Sequence, residues 1–198
     1  MNLTFAEDKS VIGVPYKPAD RGNDRPNLGY LDLKRKPELI PSVPELRGVP
    51  ELLSLIQELN HSRSLFRSLS CEWSMGPNMG NAIINTKLTS FVRLCFEILE
   101  WNGAIENYRT LYDRLEQYVA TLKPISDLTS VEFVVDFASY NDHNYRGRAL
   151  TLWHHGYGRN EAEARKNWGL SVIPTERFFA IQREAFEGEL DKGHKTIS

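Results

Sequence analysis

Cysteine is nearly missing: Cys71 and Cys95 are the only two in 198 residues. Two thiols cannot build a disulfide framework, and with no export signal they read as free thiols of a reducing compartment. The opening MNLTFAEDKS carries Glu7 and Asp8 where a signal peptide needs a basic start and an apolar run. Nor is there an apolar run of about 18 residues, so no transmembrane helix is expected. An excess of charge of one sign is also lacking. Lys and Arg total 24 against 26 Asp and Glu, a net charge of −2, which excludes a global basic field for nucleic acid or anionic membrane. No Gly-x-Ser-x-Gly, His-Glu-x-x-His or P-loop string occurs. These absences point to a cytoplasmic protein with no cofactor and no membrane partner.

Proline is scarce after residue 50 and crowded before it. Seven of the ten fall at Pro15, Pro18, Pro26, Pro37, Pro41, Pro44 and Pro50, which excludes a long helix from residues 1–49. The stretch is nevertheless too apolar for a solvated tail, with Val11, Ile12, Val14, Tyr16, Leu28, Tyr30, Leu31 and Leu33 among its residues. It reads as an extended arm lying across its own domain or across a partner. Pro-Glu-Leu recurs at 37, 44 and 50, too short a unit to stack as a repeat, so it reads as local turn chemistry.

Helical spacing begins at Pro50, with Leu52, Leu55, Ile56, Leu59, Phe66 and Leu69 on one face. The stretch 70–81 breaks it at Gly76, Pro77 and Gly80. Ile84, Leu88, Phe91, Cys95 and Ile98 then recur at steps of 4-3-4-3, and Trp101, Ile105, Tyr108, Tyr112, Leu115, Val119 and Leu122 extend the pattern to Lys123-Pro124. This predicts an α-hairpin meeting at Gly103 or one long helix. Residues 131–138 (VEFVVDFA) alternate instead, as does 148–155 (RALTLWHH), giving two strands joined by a long loop. Asn160 and Glu163 read as an N-cap and capping box for a short helix ending at Gly169, and a last helix runs from about 175 to 188.

Five metal-ligand types, Asp136, Asp142, His143, His154 and His155, lie within twenty residues. In a hairpin, however, His143 sits at the tip and His154 at the open end, roughly 25 Å away at about 3.3 Å per residue. Metal ligands must converge to about 2 Å from one ion. As strand neighbours, His154 and His155 also point to opposite faces. No metal is expected. Cys71, in a Gly/Pro-rich loop beside Trp73 with His61 ten residues earlier, is the candidate thiol nucleophile, while Cys95 reads as core. Gly156-Tyr157-Gly158 stands where a dinucleotide loop belongs, but Glu161 takes the third glycine's place and Glu163 adds a second carboxylate at the helix start.

The fold expected is therefore α+β. Its N-terminal two-thirds is helical, an α-hairpin or long helix with an amphipathic partner helix. A small antiparallel β-hairpin or sheet and two C-terminal helices follow, and an extended Pro-rich arm precedes the whole. The expected division is an arm over 1–49, one domain over 50–190 and a flexible tail over 191–198. Function is expected to be non-catalytic: a bacterial or phage-type accessory, inhibitor or immunity-like factor that docks on a protein partner. The expected contacts are the aromatic and basic residues of the hairpin loop and the turn beyond it, Tyr140, His143, Tyr145, Arg146, Arg148, Tyr157 and Arg159, with or without the arm. The alternatives are a nucleic-acid-binding protein using Arg63, Arg67, Arg146 and Arg148, and a metal- or thiol-dependent enzyme.

Overall fold

Alternation governs far more of the chain than its apolar spacing suggests. The computed structural model describes residues 1–18, 29–79, 82–123 and 125–195, with side chains to 186. Pro26 and Leu28 of the expected arm, Gly80 of the expected break, Pro124 and the last three residues of the expected tail lie outside the described residues. Among the described residues the elements run β1 (Asn2–Val14), α1 (Pro50–Leu59), β2 (Phe66–Pro77), β3 (Thr86–Phe96), α2 (Ile105–Ala120), β4 (Thr129–Tyr140), β5 (Tyr145–Gly158) and α3 (Glu161–Lys195). Short 3-10 turns occupy Pro37–Ser42, Pro44–Leu46, Leu99–Gly103 and Asn141–His143. The strands form one mixed sheet in the order β1-β4-β5-β3-β2. β1 lies parallel to β4; the other neighbours are antiparallel.

This corrects the helical N-terminal two-thirds. Strands dominate there, and the 4-3-4-3 run from Ile84 to Ile98 is β3 rather than half of an α-hairpin. The reason is physical. β3 is an inner strand, so Leu88, Val92, Leu94 and Phe96 face one side of the sheet while Phe91 and Cys95 face the other, where apolar groups are also sheltered. Apolar residues on both faces of a strand produce helix-like steps by coincidence. α1 likewise stops at Leu59 instead of reaching Leu69. Buried Asn60 closes it, donating from Nδ2 to the carbonyl of Ile56 (2.8 Å) and accepting at Oδ1 from the N–H of Ser68 on β2 (3.2 Å). The small hairpin becomes the centre of a five-stranded sheet, and its long loop shrinks to four residues closed by Asn144 at φ 48°. The two C-terminal helices are one, since α3 continues through Gly169 and Pro174.

All three helices pack on one face of the sheet. Its inner layer is Leu88, Val92, Leu94, Val131, Phe133, Val135, Leu150 and Leu152, against Leu55, Leu59, Tyr108, Leu115, Trp168 and Phe179. Burying each large side chain of this set stabilises the fold by about 1.5–3 kcal/mol. The Trp168 indole N–H is satisfied by Ser90 Oγ (2.9 Å). Two ion pairs tie α3 to α1: Arg183 Nε to Glu58 Oε1 at 2.7 Å and Arg165 Nη2 to Glu51 Oε2 at 3.3 Å.

Gly156 and Gly158 lie within β5, so they do not turn the chain as the Gly-Tyr-Gly string suggests. They face α3. A Cβ on Gly156 would collide with Trp168 N and Ala164 O, and one on Gly158 with Ala164 N. The glycines let the helix cross directly over the strand.

The arm joins its own domain. Residues 2–14 are the edge strand β1, with Leu3 and Phe5 turned to the core and Asp8–Ser10 bulging out of the ladder. Beyond β1 the chain crosses the far end of the sheet's second face. Val14 packs there with Leu69, Cys95, Ala138, Tyr140 and Ala149, and Tyr30 closes over them. Tyr16 and Tyr30 hold the crossing, through Tyr16 Oη to the carbonyl of Leu69 (3.3 Å) and the Tyr30 N–H to the carbonyl of Tyr16 (3.0 Å). No helix among the described residues is long and apolar enough to cross a membrane.

Candidate functional site

Among the described residues no helix lies on the remaining part of the second face. Register sets its rows. Glu132 on β4, Trp153 on β5, Phe91 on β3 and Glu72 on β2 form one row; Ser130, His155, Thr89 and Ser74 form the next. Beyond them Tyr157 stands opposite Lys87, and on the other side Thr151 stands opposite Arg93. Strand alternation puts these residues outward because their neighbours Leu152, His154 and Val131 are drawn under the helices.

Two polar chains brace the rows. His155 bridges Thr89 Oγ1 on its Nδ1 and Glu132 Oε1 on its Nε2, both at 3.1 Å. Burial, reinforced by Lys87 and opposed by Glu132, holds the His155 pKa below its ordinary value. The ring is therefore neutral near pH 7: Nε2–H donates to the carboxylate, and Nδ1 accepts the Thr89 hydroxyl proton. The second chain runs from Arg93 Nε to Thr151 Oγ1 (3.0 Å) and from the Thr151 hydroxyl to buried Asp136 Oδ2 (2.6 Å). Aromatic rings lie over these braces. Phe91 and Trp153 meet with centroids 5.0 Å apart, Trp153 stacks on the His155 ring, and His155 meets Tyr157. Arg93 sits above Phe91 and Lys87 above Tyr157, at 5.8 and 5.3 Å from the ring centres. A shallow cleft between this face and the crossing arm is lined by Gly13, Tyr16, Glu72, Phe91 and Arg93.

Glu132–His155–Thr89 has the connectivity of an acid–base–hydroxyl relay but not the surroundings. β3 is an inner strand, so the backbone around Thr89 is engaged in ladders with β2 on one side and β5 on the other. The bridge ties β3, β5 and β4 together beside the aromatic rings.

The sequence-derived contacts scatter. Tyr157 alone belongs to this face. Tyr140 is buried and donates to the carbonyl of Arg148 (2.6 Å); Tyr145 caps the hairpin end, its hydroxyl 3.4 Å from the carbonyl of Glu100. The Arg148 guanidinium lies over Phe137 and 3.8 Å from Glu7. His143 and Arg146 are exposed at the turn. Arg159 is held by Glu163, whose carboxylate takes both its N–H and its Nε at 3.0 Å, while Asn160 caps the N–H of Glu163 (3.0 Å). Arg63 and Arg67 do not share a helix. Arg63 lies in the turn after α1, and Arg67 is on β2 with its Nε 2.9 Å from Glu97 Oε2, close enough for an ion pair although off the line of a hydrogen bond.

Cys71 is on β2, not in an exposed loop, and burial pushes its thiol up to about 12. A thiol so protonated is no nucleophile at neutral pH. Among the described residues no group of three or more His, Cys, Asp or Glu is placed to hold a metal. His154 and His155 do face opposite sides of the sheet, as strand geometry requires. Sequence reading missed Trp153, Phe91, Glu132, Thr89 and Arg93; the signal for Trp153 was its place in Trp153-His155-Tyr157, at steps of two. Comparison with protein-family models, curated proteins and solved structures finds no match to this chain.

Proposed function

We propose that this protein is a non-catalytic binding protein, an accessory, inhibitor or immunity-like factor, that captures a protein partner on the uncovered face of its sheet. The observation that carries the reading is the Phe91–Trp153 pair, flanked by Tyr157 and Arg93 and braced from beneath by neutral His155. Trp, Tyr and Arg dominate the energetic centres of protein interfaces, and side chains already locked in place lose little freedom on binding. Charge favours protein over nucleic acid. Lys87 and Arg93 are offset by Glu72, Glu132 and Asp136, whereas a phosphate backbone needs a net cationic track. His143 and Arg146 at the hairpin turn form a second, smaller exposed patch.

The test is partner capture by the intact chain and by Trp153→Ala and Phe91→Ala variants whose folding is checked by circular dichroism. Each substitution is expected to weaken capture by about 2 kcal/mol or more, roughly thirtyfold, while Arg146→Ala changes it less. Full capture by both folded variants overturns the reading. Binding of single-stranded oligonucleotide that collapses with rising salt would replace it with the nucleic-acid alternative.

A further inference from the structure

On the opposite side of the molecule α2 and α3 touch and then part. Tyr118 packs on Phe178, and one turn further along Arg114 Nη1 donates to Gln182 Oε1 at 3.1 Å. Beyond that bridge the helices leave a cleft of about 240 Å³, many times the roughly 10–15 Å³ that one water requires. Its floor is Phe66, Phe96 and Leu111, all buried, and Trp101 and Phe186 stand edge to face at its other end, with centroids 6.4 Å apart. Asn107, Thr110 and Gln182 make part of the wall polar, while the apolar floor forgoes the dispersion contacts that a filling side chain would supply. Among the described side chains Arg114 is the only charged one lining it. Among the described residues the partner of Arg114 there is a neutral amide, with no carboxylate paired to the guanidinium and most of its N–H groups available at the rim.

We propose that this cleft binds a small apolar monocarboxylate, a medium-chain acyl or arylalkyl acid. The hydrocarbon lies against Phe96 and Trp101, and the carboxylate takes a paired hydrogen bond from Arg114. An amine would meet the wrong charge, and a neutral alcohol would leave the guanidinium unanswered. A dianion would bring a second charge for which the lining has no partner. This site is separate from the uncovered sheet face and does not depend on it.

Octanoate, octanol and octylamine, titrated calorimetrically into the full chain, test the proposal. Octanoate is expected to bind saturably at one site, octanol more weakly and octylamine not at all. Arg114→Gln should weaken octanoate by about tenfold or more while leaving octanol unchanged; Arg114→Lys should recover part of the loss. Leu111→Trp, which fills the floor, should remove both ligands. Arg114 is exposed, so its variants report on the site rather than on folding, and Trp153→Ala should leave octanoate binding intact. Absence of octanoate binding at millimolar concentration overturns the proposal. So does equal binding of octanoate and octanol with Arg114→Gln indistinguishable from the parent.

Discussion

At the residue scale the two adjacent histidines have opposite environments. His155 is bonded on both ring nitrogens, whereas His154 is wholly buried and neither of its ring nitrogens has a hydrogen-bond partner among the described residues. Burial, and after it His155, pushes the His154 pKa down to about 3 from an ordinary 6.5. Between those values the unfolded chain holds a proton that the folded chain rejects. Stability is thus complete above about pH 6.5 and falls as the pH drops, by up to about 1.4 kcal/mol per pH unit. Lowered in the same direction, His155 adds to the slope. Urea unfolding at pH 7 and pH 5 should show the loss, and His154→Leu should flatten it; an unchanged slope in that variant would place the acid sensitivity elsewhere. Cys71 gives a second residue-level expectation. With its thiol raised to about 12 and that of Cys95 to about 11, iodoacetamide should modify neither at pH 7.5 until denaturant is added. Rapid labelling of the native chain would contradict thiols raised this far.

Among the elements, β5 and α3 form the most constrained contact. Gly156→Ala forces a methyl group into Trp168 N and Ala164 O, which are backbone atoms of a helix and cannot rotate away. The cost expected is about 3 kcal/mol or more, read as a lowered urea midpoint; a neutral result would mean that α3 sits further from the sheet. How much of this was legible depends on burial symmetry. β4 reads as a strand because Val131, Phe133 and Val135 alternate with Glu132 and Asp136, and α2 reads as a helix because its outward face is polar. β3 misreads because both faces are apolar, and β2 because Phe66 and Leu69 continue the spacing of α1 in phase. Gly156 and Gly158 look like a turn because close approach to a helix and a turn ask for the same residue. The candidate face was harder still. Its residues lie on four strands, and only the register of the ladders brings the strands' separate alternations onto one face.

For the whole molecule, the sheet has one face filled by helices and one divided between the crossing arm and an aromatic surface. The arm has consequences for both. By burying Val14 over Cys95, Tyr140 and Ala149 it closes a second small core, and it narrows what is left of the face to the rows around Trp153. That remaining surface is the binding face proposed above. The most direct test places a photo-reactive phenylalanine analogue either at Tyr157, on that face, or at Ile181, exposed on α3, and irradiates the chain in its host. A single protein conjugate from position 157, lost on adding Trp153→Ala and absent from position 181, is the predicted result. Cross-linking from 181 alone, or from 157 with no sensitivity to Trp153→Ala, would contradict the account.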